Sequence, residues 1–194
     1  MSVTAAAGFV AAGVACGIKE AGALDLAVVS AQNSVPAAGV FTSSTTAAAP
    51  VIVSRKHLTS GTAQVIVLNS GCANAGTGEP GLADALATAR VAAAAYDCPP
   101  EEVLVCSTGT IGPSLPVRRL LEGLPTTLGK DGPAATAAAE AIMTTDSVSK
   151  QAAVRAGGYS IGGMAKGAGM IRPDMATMLA VITTDAVIGS GELQ

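Results

Sequence analysis

The chain has 194 residues, a formal net charge of −3, and 49% hydrophobic but only 2% aromatic side chains. That is apolar material for one ordinary domain or part of a larger one. It is mostly Ala and Val, so a stable core needs many small contacts or a partner surface. Acids and bases are interspersed and Trp is absent, which sets aside nucleic-acid binding by phosphate neutralisation or base stacking.

In chain order, the opening run MSVTAAAGFVAAGVACGIKE has the apolar look of a secretion signal. It carries no Lys or Arg ahead of the apolar stretch and is interrupted by Gly, against that reading. No segment reaches the ~20 strongly apolar residues of a membrane helix. Leu24–Val29 and Ala37–Thr42 read as short strands, separated by a polar loop, SAQNSVP. VSRKHLTSG, which holds the single His, His57, reads as a polar exposed stretch. Ala63–Asn69 (AQVIVLN) is a buried β run. A Gly-rich loop, SGCANAGTGEPG, follows, and then Leu82, Leu86, Ala89, Ala93 and Tyr96 recur as a helical stripe, with Pro80 in the opening turn. That helix ends near Cys98–Pro100 and a second buried strand, Glu102–Cys106, completes a β-α-β unit. Pro116–Gly123 and Ala134–Met143 read as helices split by Gly129–Pro133; Tyr159–Met164 and Met178–Thr184 read as strands.

Several places in this chain could carry chemistry. Cys16, Cys72, Cys98 and Cys106 show no CxxC spacing. With one His, no metal site is expected, and the thiols read as reduced and cytosolic. GTGEPG, Gly76–Gly81, is a formal GxGxxG between a strand and a helix, with Asp97 at roughly the distance of a ribose-binding acid. Asn69–Ala75 intervene where a dinucleotide turn is tight, so an ordinary Gly-rich loop is the competing reading. STGTIG, Ser107–Gly112, directly follows a strand and offers backbone N–H groups beside a Thr hydroxyl. That suits an oxyanion hole and equally a plain strand-to-loop turn. IMTTD, Ile142–Asp146, offers Thr144 and Thr145 for substrate contact or for ending a helix. A Ser–His–Asp or Cys–His site would have to use His57, and no G-x-S-x-G is present.

The run KGAGMIRPDMATMLAVITTD, Lys166–Asp185, is the most specific. A Thr hydroxyl can attack the carbonyl of the preceding residue through a five-membered ring, and hydrolysis of the resulting ester leaves a chain that begins with Thr. Its α-amine, with a reference pKa of about 7.7–8.0, can serve as base for its own hydroxyl. At Thr177 this chemistry competes with a plain β-branched strand residue, which the chemistry alone favours.

GIKEAGALDLAVV (17–29), GVFTSSTTAAAPV (39–51), VLNSGCANAGTG (67–78), CSTGTIG (106–112), AIMTTD (141–146) and GGMAKGAGMIRPDMATML (162–179) together resemble the ornithine acetyltransferase (glutamate N-acetyltransferase) family, in family order and over nearly the whole chain. The resemblance implies an α/β (α+β) fold, an α/β/β/α sandwich similar to that of N-terminal-nucleophile hydrolases, of which this chain holds the N-terminal half. It implies self-cleavage between Ala176 and Thr177, so that residues 1–176 form an α chain and 177–194 begin a β chain. Thr177 would be the nucleophile, Thr108 and Gly109 the oxyanion hole, and Thr144, Lys166 and Thr177 the substrate-binding residues. The implied reaction moves acetyl from N2-acetylornithine to glutamate, with no metal or resident cofactor and with acetyl-CoA as a further acetyl donor in some members. The implied setting is cytoplasmic, in an α2β2 assembly with its own β chain. Ser44, Ser147 and Ser149 depart from the family pattern, which touches local loops and not the nucleophile. The fragment alone is expected to be inactive and to expose apolar surface meant for the other half. An N-terminal-nucleophile aminopeptidase or amidase, a nucleotide-binding module using Gly76–Gly81, and a non-catalytic docking half are the alternatives.

Overall fold

Alternating branched residues build the first sheet. The computed structural model describes residues 2–20, 22–129, 134–167 and 178–194. Strands β1 (Phe9–Val14), β2 (Leu26–Pro36), β3 (Thr62–Cys72) and β4 (Val103–Thr110) lie side by side in that order. The first two pairings are antiparallel and β3–β4 is parallel. Leu26, Val28, Val65, Val67, Val103 and Val105 belong to the core on one face. Ala27, Val29 and Leu68 belong to the core on the other. A sheet apolar on both faces must be covered on both.

Three helices cover the first face. The α2 helix (Gly78–Tyr96) makes the crossover between β3 and β4, as expected. Its inward residues are Gly81, Ala85, Thr88, Ala89, Ala92 and Ala93, and Leu82 and Leu86 sit at the flank of the stripe. Small residues face the sheet because they let the helix approach closely, so the longer Leu side chains are pushed to the margin. The α1 helix (Ala49–His57) corrects the exposed reading of VSRKHLTSG. It lies along β4, the edge strand, and closes that edge. The Ser54 hydroxyl donates to Val105 O at 2.7 Å and accepts from Val105 N at 2.8 Å. His57, 8% exposed, donates from Nδ1 to Val103 O at 2.7 Å, since a carbonyl oxygen can only accept. Two side chains thus stand in for a missing strand partner. The α3 helix (Val117–Gly123) adds Leu120 to the same core.

The other face meets α4 (Ala134–Ala141) and a second, antiparallel sheet, ordered β5 (Lys150–Ala156), β6 (Tyr159–Lys166), β7 (Leu179–Thr184). Ala135, Ala138, Ala139, Ile142, Met164 and Val181 pack here with Ala11, Ala27 and Leu68. Contact between α4 and β1 is so close that a Cβ on Gly13 would lie 2.1 Å from Ala137 O. The layers are therefore helices, sheet, then sheet, with α4 sharing the inter-sheet core. Strand β6 alternates: Ser160, Gly162, Met164 and Lys166 face inward, while Tyr159 and Ile161 face out.

Some expected elements moved. The SAQNSVP segment is strand, the outer half of β2, which pairs with β3 again at Val35 and Pro36 after a register shift. It outruns β1, whose pairing stops at Ala31, so Gln32, Asn33 and Ser34 are exposed and the polar segment reads as a loop. Ala37–Thr42, expected as a strand, has no regular structure. The run Phe9–Val14 is the strand β1. The β5 strand was not anticipated, because KQAAVRA is a largely exposed edge without a clean apolar alternation.

Candidate active site

Three chain segments that are distant in sequence end at one point. The first is the end of β4. The parallel register pairs Ser70 with Thr108 and Gly71 with Gly109, which places the STGTIG motif at the sheet's carboxyl end, where α/β sites commonly form. Gly109 has φ +129°, and a Cβ there would lie 2.4 Å from the carbonyl carbon of Gly71. No side chain fits between the two strand ends. Asn69 and Ser107 lock them, with Ser107 Oγ donating to Asn69 Oδ1 at 2.6 Å and Asn69 Nδ2 donating to Cys72 O at 2.9 Å.

The second segment is the turn after α4 that carries Thr144. It is tied to the first sheet at two carbonyls. Ser70 Oγ donates to Ala141 O, and Lys19 Nζ donates to Met143 O at 2.7 Å and Leu24 O at 3.0 Å. Lys19 is itself held by Asp25, 0% exposed. The Asp25 carboxylate accepts the backbone N–H groups of Cys16 at 2.7 Å, Ile18 at 2.6 Å and Lys19 at 2.9 Å. A buried carboxylate so surrounded has its charge met by three backbone dipoles.

The third segment is the end of β6. Inward alternation along the strand delivers Lys166, 2% exposed, into the junction. Its Nζ donates to Thr108 Oγ1 at 2.7 Å and to Thr144 Oγ1 at 3.1 Å. Thr108 is buried and Thr144 exposed, so the ammonium bridges the interior and the surface of the site. Burial lowers the Lys166 pKa; the Asp146 carboxylate opposes this, and the charges of Lys150 and Lys19 add to it. Asp146 fastens the Thr144 turn to the end of β6. It pairs with Lys150, accepts Gly167 N–H at 3.0 Å and reaches Thr144 N–H at 3.5 Å. Desolvation pushes the Asp146 carboxyl up, but the hydrogen bonds from Lys150, Gly167 and Thr144 outweigh it and bring it down to about 2.

The expected residues Thr108, Gly109, Thr144 and Lys166 are thus brought together. Ala176 and Thr177 lie outside the described residues. Leu179, two positions beyond Thr177, is the cross-strand partner of Lys166. Ile18, Lys19, Glu20, Ala23 and Gly71 line a shallow open cleft that reaches the strand end beside Gly109. Asp25, Lys19, Asn69 and Asp146 were not singled out in the sequence. The one local signal was Asp25, an acid inside the apolar run GALDLAVV.

The other nucleophile candidates are poorly suited. Burial, reinforced by Asp25, raises the Cys16 pKa to about 12, and burial raises Cys106 to about 12. Both are inert thiols at neutral pH. His57 is committed to the edge of β4. The GTGEPG loop is fastened from within: Asn74 Nδ2 donates to Gly81 O at 2.8 Å and Thr77 Oγ1 donates to Asn74 Oδ1 at 2.8 Å. Among the described residues no three His, Cys, Asp or Glu side chains gather as metal ligands. No described helix is long and apolar enough to cross a membrane.

The model of the ArgJ family matches residues 10–194. The arginine biosynthesis bifunctional protein ArgJ of Thermobifida fusca is 52% identical over 194 residues, covering 97% of this chain and 50% of that protein. Its counterpart from Streptomyces coelicolor is 53% identical over 190 residues, covering 96% of this chain and 49% of that protein. The chain spans about half the length of the curated relatives it matches. The crystal structure of the Mycobacterium tuberculosis ornithine acetyltransferase, complexed with ornithine, superposes with a TM-score of 0.85 at 47% identity, covering 92% of this chain and 96% of that one. The Bacillus halodurans ArgJ structure gives a TM-score of 0.83 at 36% identity, covering 92% and 95%. These structures have the N-terminal-nucleophile type of fold, in agreement with the α+β class expected from the sequence.

Proposed function

The chain belongs to the ArgJ family, and from that premise we propose that it carries the acetyl-transfer site of an arginine-biosynthesis enzyme, moving acetyl from N2-acetylornithine to glutamate. The observation that supports this most is the convergence of Thr108, Thr144 and Lys166 through two hydrogen bonds from one buried ammonium. In this reading the chain cuts itself between Ala176 and Thr177. Thr177 Oγ then attacks the acetyl carbonyl while the freed α-amine takes the hydroxyl proton. Thr108 and Gly109 stabilise the oxyanion; one such donor is typically worth about 3–4 kcal/mol. The acetyl C–N bond breaks, ornithine leaves with the proton, and an acetyl ester remains on Thr177. The glutamate amine attacks that ester, N-acetylglutamate departs, and the Thr177 hydroxyl is restored. Thr144 and Lys166 bind the substrate, and no metal or resident cofactor takes part. Acetyl-CoA is a second acetyl donor in the same ester chemistry.

The assembly proposed is α2β2, in the cytoplasm, with residues 1–176 in α and 177–194 opening β. The outer face of the second sheet is consistent with a covering half: Val154 and Ile182 are 62% and 74% exposed there, beside Ile161. Apolar side chains clustered on an open sheet face mark a contact surface. The test uses the full-length protein with N2-acetylornithine labelled in its acetyl group. Label is expected in N-acetylglutamate, together with a polypeptide that begins TMLAV. Thr177→Ala is expected to abolish both. Transfer by an uncut chain, or by the Ala variant, contradicts the reading.

A further inference from the structure

An ammonium group has three N–H bonds and no lone pair. The contacts from Lys166 Nζ to Thr108 Oγ1 at 2.7 Å and Thr144 Oγ1 at 3.1 Å therefore run in one sense only. The nitrogen donates and both hydroxyl oxygens accept. Each Thr hydroxyl carries one hydrogen, and neither hydrogen can point at Lys166. Lys166 has little freedom to do otherwise, being buried on the inner face of β6 next to Met164 and facing the end of β4. Thr144 is fixed from behind by Lys19 on Met143 O and by Asp146.

We propose that Lys166 is a positioning residue that sets the hydroxyl directions of Thr108 and Thr144, turning the Thr108 hydrogen away from Lys166 and toward the reacting acyl oxygen. This rests on the acetyl-transfer reading and goes beyond substrate binding by Lys166. Accepting a charge-assisted hydrogen bond also makes the Thr108 O–H a stronger donor. A donor held in place before the reaction requires no reorganisation when charge develops on the oxyanion. Among the described residues Lys166 Nζ has two acceptors, Thr108 and Thr144, and a third N–H remains that could meet a substrate carboxylate. A neutral Lys166 amine, with two N–H bonds and one lone pair, would no longer fix that direction, since its lone pair could accept the Thr108 hydrogen.

The test is a double-mutant cycle in the full-length, self-processed enzyme, with p-nitrophenyl acetate as acyl donor because it has no carboxylate to bind. Lys166→Met is expected to slow acylation at least about ten-fold, less than the roughly 10²–10³-fold cost of removing an oxyanion donor outright, because the Thr108 hydroxyl is kept. Thr108→Val is expected to slow it as much or more. The double variant should be no more than about two-fold slower than Thr108→Val, the signature of one residue acting through the other. Lys166→Met acylating at the wild-type rate while failing only with N2-acetylornithine overturns the proposal in favour of a plain carboxylate clamp. Multiplying effects in the double variant overturn it too. If Lys166→Met does not fold, or the wild type does not react with the ester, neutron diffraction of the deuterium-exchanged wild type decides. Three deuterons on Nζ with the Thr108 deuteron turned into the pocket support the proposal; a Thr108 deuteron pointing at Nζ refutes it. Wild-type enzyme that reacts with the ester but moves no acetyl to glutamate overturns the acetyltransferase reading and leaves the cycle to judge this one.

Discussion

Gly109 shows how narrowly a single position is constrained. Its φ of +129° is a conformation that side chains rarely adopt, and a Cβ would sit 2.4 Å from the Gly71 carbonyl carbon. Replacing it by Ala forces the ends of β3 and β4 apart. Gly109→Ala is expected to cost about 1–3 kcal/mol, a thermal midpoint lower by about 2–4 °C per kcal/mol for a chain of this size. Acetyl transfer by the full-length enzyme should fall by about a hundred-fold or more, of the order of a lost oxyanion donor, because Thr108 moves with the strand end. A calorimetric midpoint and a rate equal to wild type would contradict this. Thr108, Gly109, Thr144 and Lys166 were singled out as candidates by the family resemblance of their motifs. Lys19, Asn69 and Asp146 were not, since each acts by a hydrogen bond to a backbone or side-chain group that only folding brings near. Met143 O, for example, is 124 positions from Lys19.

At the scale of an element, α1 was missed because its sequence hides its role. VIVSRKH carries no strong apolar stripe, and its inward polar residues are used as edge partners. Ser54 both donates to and accepts from Val105, and His57 donates to Val103. Ser54→Ala leaves a buried N–H and C=O of β4 unpaired. It is expected to lower stability by about 1–3 kcal/mol, read as a lower urea midpoint at unchanged slope. A neutral result would mean that water replaces the hydroxyl without loss. The β3–α2–β4 unit was legible, because branched runs, a Gly-rich turn and a helical period are local signals. Its helix face was displaced onto the alanines, which only close packing against the sheet reveals.

At the scale of the whole molecule, two carboxylates add to the shared apolar core in tying the second sheet to the rest. Asp146 joins Gly167 N–H to the Thr144 turn. Asp185, just past β7, accepts Ala7 N–H at 2.9 Å and Ser160 N–H at 2.5 Å. The Ala7 and Ser160 hydrogen bonds lower the Asp185 pKa, and Asp146 sits at about 2. A carboxyl whose folded pKa lies below its unfolded value stabilises the fold above the unfolded pKa, about 3.9. That contribution is lost as pH falls through the folded value. The thermal midpoint is therefore expected to fall between about pH 4 and pH 2, in line with these pKa positions, and Asp146→Asn should flatten part of that fall. An equally steep fall in the variant would remove Asp146 from the account. Most strand and helix types and the crossover unit were readable along the chain, because they depend on side-chain periodicity and short-range turn chemistry; the fold class came from the resemblance that the family motifs carry. The pairing order of the strands, the closed edge of β4, and the meeting of Thr108, Thr144 and Lys166 were settled by the tertiary structure alone. Those features join groups far apart in sequence, and local pattern carries no information about which distant donor will find which acceptor.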